Sequence, residues 1–327
     1  MTNSRWKPLC SLLLIFIAAP FLAALLVPWV YQGIEHLSPD VMQWVHECEE
    51  AGTHAFLADI ADSIFTSPFR RVNDRIVLVM VLLLLWPAYR LSGFRNRANL
   101  GIPSRADWLK LLSIGLVLAI SSMLIVYILG VSLGVYAWDP GGKSGSEIGA
   151  GLLSILLGGL IIGLIEETLF RGFIFNALRK SLGLITGVLL SSALFAVIHF
   201  IKPLDPEVTN LWYSGFLLFA DPFAGAGDTV LQQVCTLFCM GAVLATLSYW
   251  TRSVYLAIGL HTGWVWVMMI FCLLTENQEN LVWLYGTSDW LPNSWMGPIM
   301  ALVVLSAAAL TRKKWIALGE SSPASTT

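Results

Sequence analysis

Gly163-Leu164-Ile165-Glu166-Glu167-Thr168-Leu169-Phe170-Arg171-Gly172 places three ionisable side chains inside an apolar, glycine-spaced segment running from residue 148 to about 178. At mid-bilayer each such charge costs at least about 2.5–3.5 kcal/mol, so two Glu and an Arg need a reason to be there. On a helix, Glu167 and Arg171 stand at i and i+4, about 40° apart, and can pair. Glu166 points about 100° from Glu167 and about 140° from Arg171, which leaves it without a local partner. The pattern predicts one structural pair beside one working carboxylate. A polar network that only fixes helix packing is the plainer alternative.

The composition around this stretch is that of a membrane protein. The 327 residues are 57% hydrophobic and only 12% charged, about half the charged fraction of soluble domains, and mean hydropathy is +0.73. The expected fold is all-α, a polytopic transmembrane bundle of about eight spans near residues 10–31, 76–89, 111–138, 148–178, 184–200, 230–249, 254–274 and 295–310. The first of these reads as an uncleaved span, since no small-x-small site closes it. The net charge of −2 points to no nucleic acid partner. Cys10, Cys48, Cys235, Cys239 and Cys272 form no disulfide framework and no CxxC pair. Cys235 and Cys239, at i and i+4, read as packing thiols rather than metal ligands.

Residues 32–75 read as a hydrophilic loop rich in Asp and Glu. It contains His36, His46 and His54, whose spacing fits no common metal site. Asp139-Pro140-Gly141-Gly142 and Ser181-Leu182-Gly183 are turn signals, and Leu211–Ala220 is apolar enough to dip into the interface. The segment after Arg312-Lys313-Lys314 reads as a small, disordered tail. Three regions follow: residues 1–147 with three spans and an outer loop, a core at 148–274, and a final span with a short tail at 275–327. Most Lys and Arg lie on the side that carries the termini, which predicts both termini in the cytoplasm. The short loops and charge bias fit a bacterial inner membrane, with the endoplasmic reticulum as the alternative. No internal repeat is evident, which weighs against a transporter.

Counting from a turn at Leu182, Glu166 lies 16 residues before it and His199 lies 17 after. Antiparallel helices rising about 1.5 Å per residue therefore bring the two to similar depth. Phe195 sits one turn from His199 on the same face. His261 is the only other histidine within an apolar segment. The expected cavity thus gathers Glu166, Glu167, Arg171, His199 and His261. Such a set suits water activation: a carboxylate takes a proton, one imidazole orients the nucleophile, and a second donates to a developing oxyanion. Neither G-x-S-x-G nor H-E-x-x-H is present. A metal-free site is favoured. Zinc held by Glu166, His199 and His261 is the alternative.

Glu166-Glu167-x-x-x-Arg171, Phe195-x-x-x-His199 and the late His261, in that order within membrane spans, resemble the CAAX-processing protease and bacteriocin-immunity family of intramembrane proteases. Phe238-x-x-Gly241 ahead of Arg252 is similar to that family's glycine-containing helix. The resemblance covers about residues 148–274. It implies a glutamic intramembrane endopeptidase acting on a membrane-associated protein or peptide within the lipid bilayer. Glu166 and His199 would activate water, His261 would hold the oxyanion, and Glu167, Arg171 and Phe195 would support them. The family's prenyl-protein members carry Asn four residues after the last His. Here that position is Val265, which donates nothing, and Thr262 or a backbone N–H is the available substitute. The departure keeps two alternatives open: a non-enzymatic immunity or scaffold protein of the same fold, and a proton-coupled transporter.

Overall fold

Helix dominates because apolar segments in lipid must satisfy their own backbone hydrogen bonds. The computed structural model describes residues 6–320 apart from 52, 54, 104–106, 202–203, 208, 222 and 224–226. Arg5, His54, Arg105 and the tail from residue 321 lie outside them. In chain order the helices are α1 (Lys7–Leu13), α2 (Ala19–Ala51), α3 (Ala55–Phe65), α4 (Phe69–Leu91), α5 (Trp108–Ser132), α6 (Gly145–Glu167), α7 (Phe175–Leu182), α8 (Leu184–Ile198), α9 (Ser214–Leu217), α10 (Val230–Thr251), α11 (Tyr255–Leu274), α12 (Val282–Tyr285), α13 (Met296–Leu310) and α14 (Arg312–Glu320). A π-helical turn, Leu14–Ala18, joins α1 to α2, and another, Thr168–Ile174, joins α6 to α7. Strands β1 (Tyr136–Trp138) and β2 (Thr275–Asn277) pair antiparallel.

Each of the eight expected spans contains a helix, that at 111–138 only as far as Ser132. Among the described residues six helical stretches, rather than eight, are long and apolar enough to cross a bilayer, or seven if the bent pair α13–α14 is one span. Of the other two, α8 has only 15 residues, and α13 bends by 69° into α14.

The chain forms two compact units. One comprises Met1–Leu9, Ser92–His199 and Gly227–Thr327. Its core gathers Leu111, Met123, Leu244, Leu260 and Trp264 from α5, α10 and α11. Gly115 and Gly259 let α5 and α11 meet backbone to backbone, since a Cβ on either would strike a carbonyl of the other helix. The segment 111–138, expected as one span, leaves the helix after Ser132, and Tyr136–Trp138 becomes the strand that pairs with Thr275–Asn277. The segment after Lys314, expected to be a disordered tail, is helical as far as Glu320, with Gly319 buried against the backbone of Trp250 and Thr251.

The other unit comprises Cys10–Leu91 and Phe200–Ala226. Val27 of α2, Phe69 and Val72 of α4, and Leu218 form its core. Most of the described residues of 32–75 are helical rather than a loop: α2 runs on to Ala51 through Pro28 and Pro39, and α3 and the start of α4 follow. Val45 and Cys48 on its polar extension pack on Ala58 of α3. His46 pairs with Glu50 at 3.3 Å on an exposed face. All five cysteines are free thiols.

Candidate active site

Helix α6 begins with a capping box: the Ser144 hydroxyl accepts from the Glu147 N–H, while the Glu147 carboxylate accepts from the Ser144 N–H. At its other end α6 delivers Glu166 and Glu167, just where the helix widens into its π-turn. Such turns add one residue to the winding and concentrate at functional sites. Glu167 is fully buried and Arg171 2% exposed, and Arg171 Nη1 donates to Glu167 Oε1 at 2.9 Å. Arg171 Nη2 donates to the Gly241 carbonyl of α10 at 3.4 Å. Its guanidinium carbon lies 4.3 Å from the centre of the Phe195 ring, a cation–π contact that repays part of the burial of the charge.

The same Glu167 Oε1 lies 2.8 Å from His261 Nδ1. A carboxylate only accepts, so this nitrogen carries the proton, and Nε2 is the atom His261 presents to the site. His199, at the C-terminal end of α8, makes the parallel arrangement. Its Nδ1 lies 2.7 Å from the Phe195 carbonyl, which also only accepts, so Nε2 is again the presented atom.

Both Nε2 atoms face one oxygen. Glu166 Oε2 stands 3.9 Å from His199 Nε2 and 3.9 Å from His261 Nε2, and it is a buried acceptor with no hydrogen-bond partner. Separations of 3.9 Å exceed a direct hydrogen bond and suit pairs bridged by water. Glu166 and His199 are about one-third exposed (28% and 34% of their side chains), whereas Glu167 and Arg171 are closed off. The site therefore has a dry structural half and an accessible half.

Phe195 is the wedge between them. Its ring lies 4.8 Å from His199, 6.0 Å from His261 and 5.1 Å from Phe170. All six residues singled out in the sequence are thus brought together. The His261–Glu167 contact was not legible, because it joins α11 to α6 across 94 positions.

Next to His261, Thr262 is fully buried with its hydroxyl unpartnered. It lies against Gly163 of α6, where an added Cβ would strike Thr262 Oγ1. Val265 packs a turn further along, beside Gly159. Trp264 turns away from the site and donates to Ser122 of α5; Trp266 donates to the Leu156 carbonyl. Both tryptophans join helices. Among the described residues no group of three His, Cys, Asp or Glu side chains is arranged to hold a metal ion.

Residues 148–267 match the family model described as type II CAAX prenyl endopeptidase Rce1-like, and that segment contains all six residues of the cluster. No curated protein and no solved structure matches the chain.

Proposed function

With residues 148–267 a domain of the Rce1-like type II CAAX prenyl endopeptidase family, we propose that this multi-pass membrane protein is an intramembrane endopeptidase using a Glu166- and His199-activated water. The observation that carries this reading is the unpartnered Glu166 Oε2, 3.9 Å from two imidazole Nε2 atoms that both point at it. The Glu166 carboxylate and the bare His199 Nε2 are both acceptors, and water is the small molecule with two protons to offer them.

Glu166 takes one water proton while His199, held by the Phe195 carbonyl, orients the oxygen. The oxygen attacks the scissile carbonyl carbon and the π-electrons move onto the carbonyl oxygen. His261 holds that oxyanion through Nε2–H, which it carries only as the imidazolium because Nδ1–H is committed to Glu167. Collapse breaks the C–N bond, and the proton on Glu166 passes to the leaving amine.

The spacing favours a metal-free site. Donors on one tetrahedral zinc lie about 3.3 Å apart, closer than the 3.9 Å found from Glu166 to each histidine. His261 lies within two turns of the α11 start, and α7, which follows the π-turn, ends on basic Arg179 and Lys180. That basic end fits a cytoplasmic-side cleavage with both termini in the cytoplasm of a bacterial inner membrane. The family description makes a prenylated CAAX protein the first substrate class to try.

The test is membrane proteomics of wild type against Glu166→Gln, with a quenched prenylated CAAX peptide as a direct probe. Glu166→Gln should insert and fold normally while uncut substrates accumulate and cleavage falls by at least about 10²–10⁴-fold. Chelator treatment should leave the rate unchanged, and stoichiometric zinc in active protein would overturn the glutamate-only mechanism. One observation favours a second reading, a non-enzymatic immunity or scaffold protein: Val265 stands where a second oxyanion donor would be expected. On that reading Glu166→Gln leaves both phenotype and proteome intact.

A further inference from the structure

The two halves of the proposed catalytic pair are carried by different helices, Glu166 by α6 and His199 by the end of α8. Along the chain the two are joined through the π-turn, α7 and the turn at Gly183. Helix α7 is locked to α8 around the turn at Gly183: Gly187 of α8 sits so close to α7 that an added Cβ would lie 2.9 Å from Arg179 Cα. Helix α6 is held separately, against α11 at Gly163 and Gly159. Between α6 and α7 lies the π-turn Thr168–Ile174. One residue more or less in that turn rotates α6 relative to α7 by about 100°. With α7 fixed on α8, such a rotation swings Glu166 away from His199.

A π-turn needs support, because where the ladder returns to α-helical spacing one carbonyl is passed over. Phe175 N–H donates to the Phe170 carbonyl, five residues back. A return to four-residue spacing at position 176 engages the carbonyl of residue 172 and skips that of Arg171. The Asn176 side chain fills the vacancy: its Nδ2 donates to the Arg171 carbonyl at 3.0 Å and to the Gly172 carbonyl at 2.9 Å. Its Oδ1 accepts from Arg179 Nη2 at 3.1 Å, which fixes which end of the amide faces the turn. Arg179 in turn lies over the rings of Phe175 and Tyr249, at 6.0 Å and 5.5 Å.

We propose that Asn176 is a positioning residue that holds the Thr168–Ile174 π-turn and thereby sets the register between Glu166 on α6 and His199 on α8. Its part in catalysis rests on the protease reading above; its part in holding the turn does not. Asn176 acts through the backbone of Arg171 and Gly172 and touches none of the reacting groups. It belongs to none of the spaced motifs that mark the site in the sequence.

Three substitutions in the full-length protein test this. Asn176→Ala removes both donated bonds. Asn176→Asp keeps the shape and puts a carboxylate where the donors were. Asn176→Ser restores one donor, to the Gly172 carbonyl and not to that of Arg171, since a serine hydroxyl on a helix reaches the carbonyl four residues back. Amide exchange across residues 168–175 should accelerate in Asn176→Ala and Asn176→Asp and recover in part in Asn176→Ser, with α5, α8 and α11 unchanged. On the prenylated CAAX peptide, or on substrates that proteomics identifies, kcat should fall about 10–100-fold in Ala and Asp with KM nearly constant, and recover in part in Ser. Unchanged exchange over 168–175 in Asn176→Ala overturns the proposal whatever the activity. Wild-type kcat in Asn176→Ala, where Glu166→Gln is dead, overturns the positioning role alone. Activity retained by Glu166→Gln instead removes the protease reading, and the exchange measurement still decides whether Asn176 holds the turn.

Discussion

His261 Nδ1 meets Glu167 Oε1 at 2.8 Å, and this one contact determines which atom of the histidine reaches the site. Glu167 is therefore more than the counter-ion of Arg171. The same oxygen accepts from Arg171 Nη1 at 2.9 Å, so one buried carboxylate neutralises a guanidinium and aims an imidazole. The two duties are separable by mutation.

Removing Glu167 alone strands a guanidinium that is 2% exposed. Glu167→Leu should lower stability by about 3–5 kcal/mol, the usual consequence of leaving one member of a buried pair uncompensated. The double variant Glu167→Leu/Arg171→Met should regain most of that stability, since two apolar side chains replace the pair. Activity should stay lost in both, because His261 has lost the group that orients its ring. Unfolding in bicelles beside the cleavage rate reads the two separately. A double variant with restored cleavage shows that Glu167 serves stability only.

The approach of α6 to α11 is the second determinant of site geometry. An added Cβ at Gly163 would collide with Thr262 Oγ1 and lie 3.4 Å from the Ile258 carbonyl, so the helices must separate. Gly163 is three residues from Glu166, and the separation moves Glu166 from His261. Gly163→Ala is expected to lower kcat by about tenfold or more, since displacements near 1 Å can cost 10²-fold. Gly158→Ala is the control: nothing lies within 4 Å of its added Cβ, and it should match or exceed wild type in stability by up to about 1 kcal/mol. Equal activity in the two variants would show that the crossing tolerates a methyl group.

Much of this arrangement is legible in the sequence because helices have a fixed rise. Counting residues either side of Leu182 brought Glu166 and His199 to one depth, and they stand 3.9 Å apart. The i, i+4 spacing likewise anticipated Glu167 with Arg171. What was not legible has physical causes. Residues 32–51 read as loop because they are polar and contain Pro39, yet a helix can continue into water when an apolar stripe such as Val45 and Cys48 finds a partner. The π-turn has no composition signature: Thr168–Ile174 reads as ordinary helix, and only coordinates show the turn and the Arg171 and Gly172 carbonyls that the Asn176 side chain engages. The 111–138 segment reads as continuous because its end is apolar, while Tyr136–Trp138 gains its hydrogen bonds from Thr275–Asn277, far away in sequence.

The pH response of the loop between α12 and α13 is a last expectation. Asp289 has a buried, unpartnered Oδ1, and its pKa is pushed up from 3.8 to about 6, first by burial and then by Glu276 on β2. Tyr127, Tyr136 and Cys272 face the same carboxyl from α5, β1 and α11, and none brings positive charge. Because the folded-state value is raised, the folded protein holds a proton that the unfolded chain releases near pH 3.8. The associated stability is fully present below about pH 4 and is lost as pH rises through about 6. The side chain is only half-buried, so solvent screening leaves about 1 kcal/mol of this, or about 2–4 °C in the unfolding midpoint. Asp289→Asn carries no titrating group and should remove that component, unfolding at a higher temperature than wild type at pH 7 and at a similar one near pH 4. Midpoints measured in detergent from pH 4 to 8 give the comparison, and parallel curves for the two proteins would show that Asp289 titrates as an ordinary exposed carboxyl.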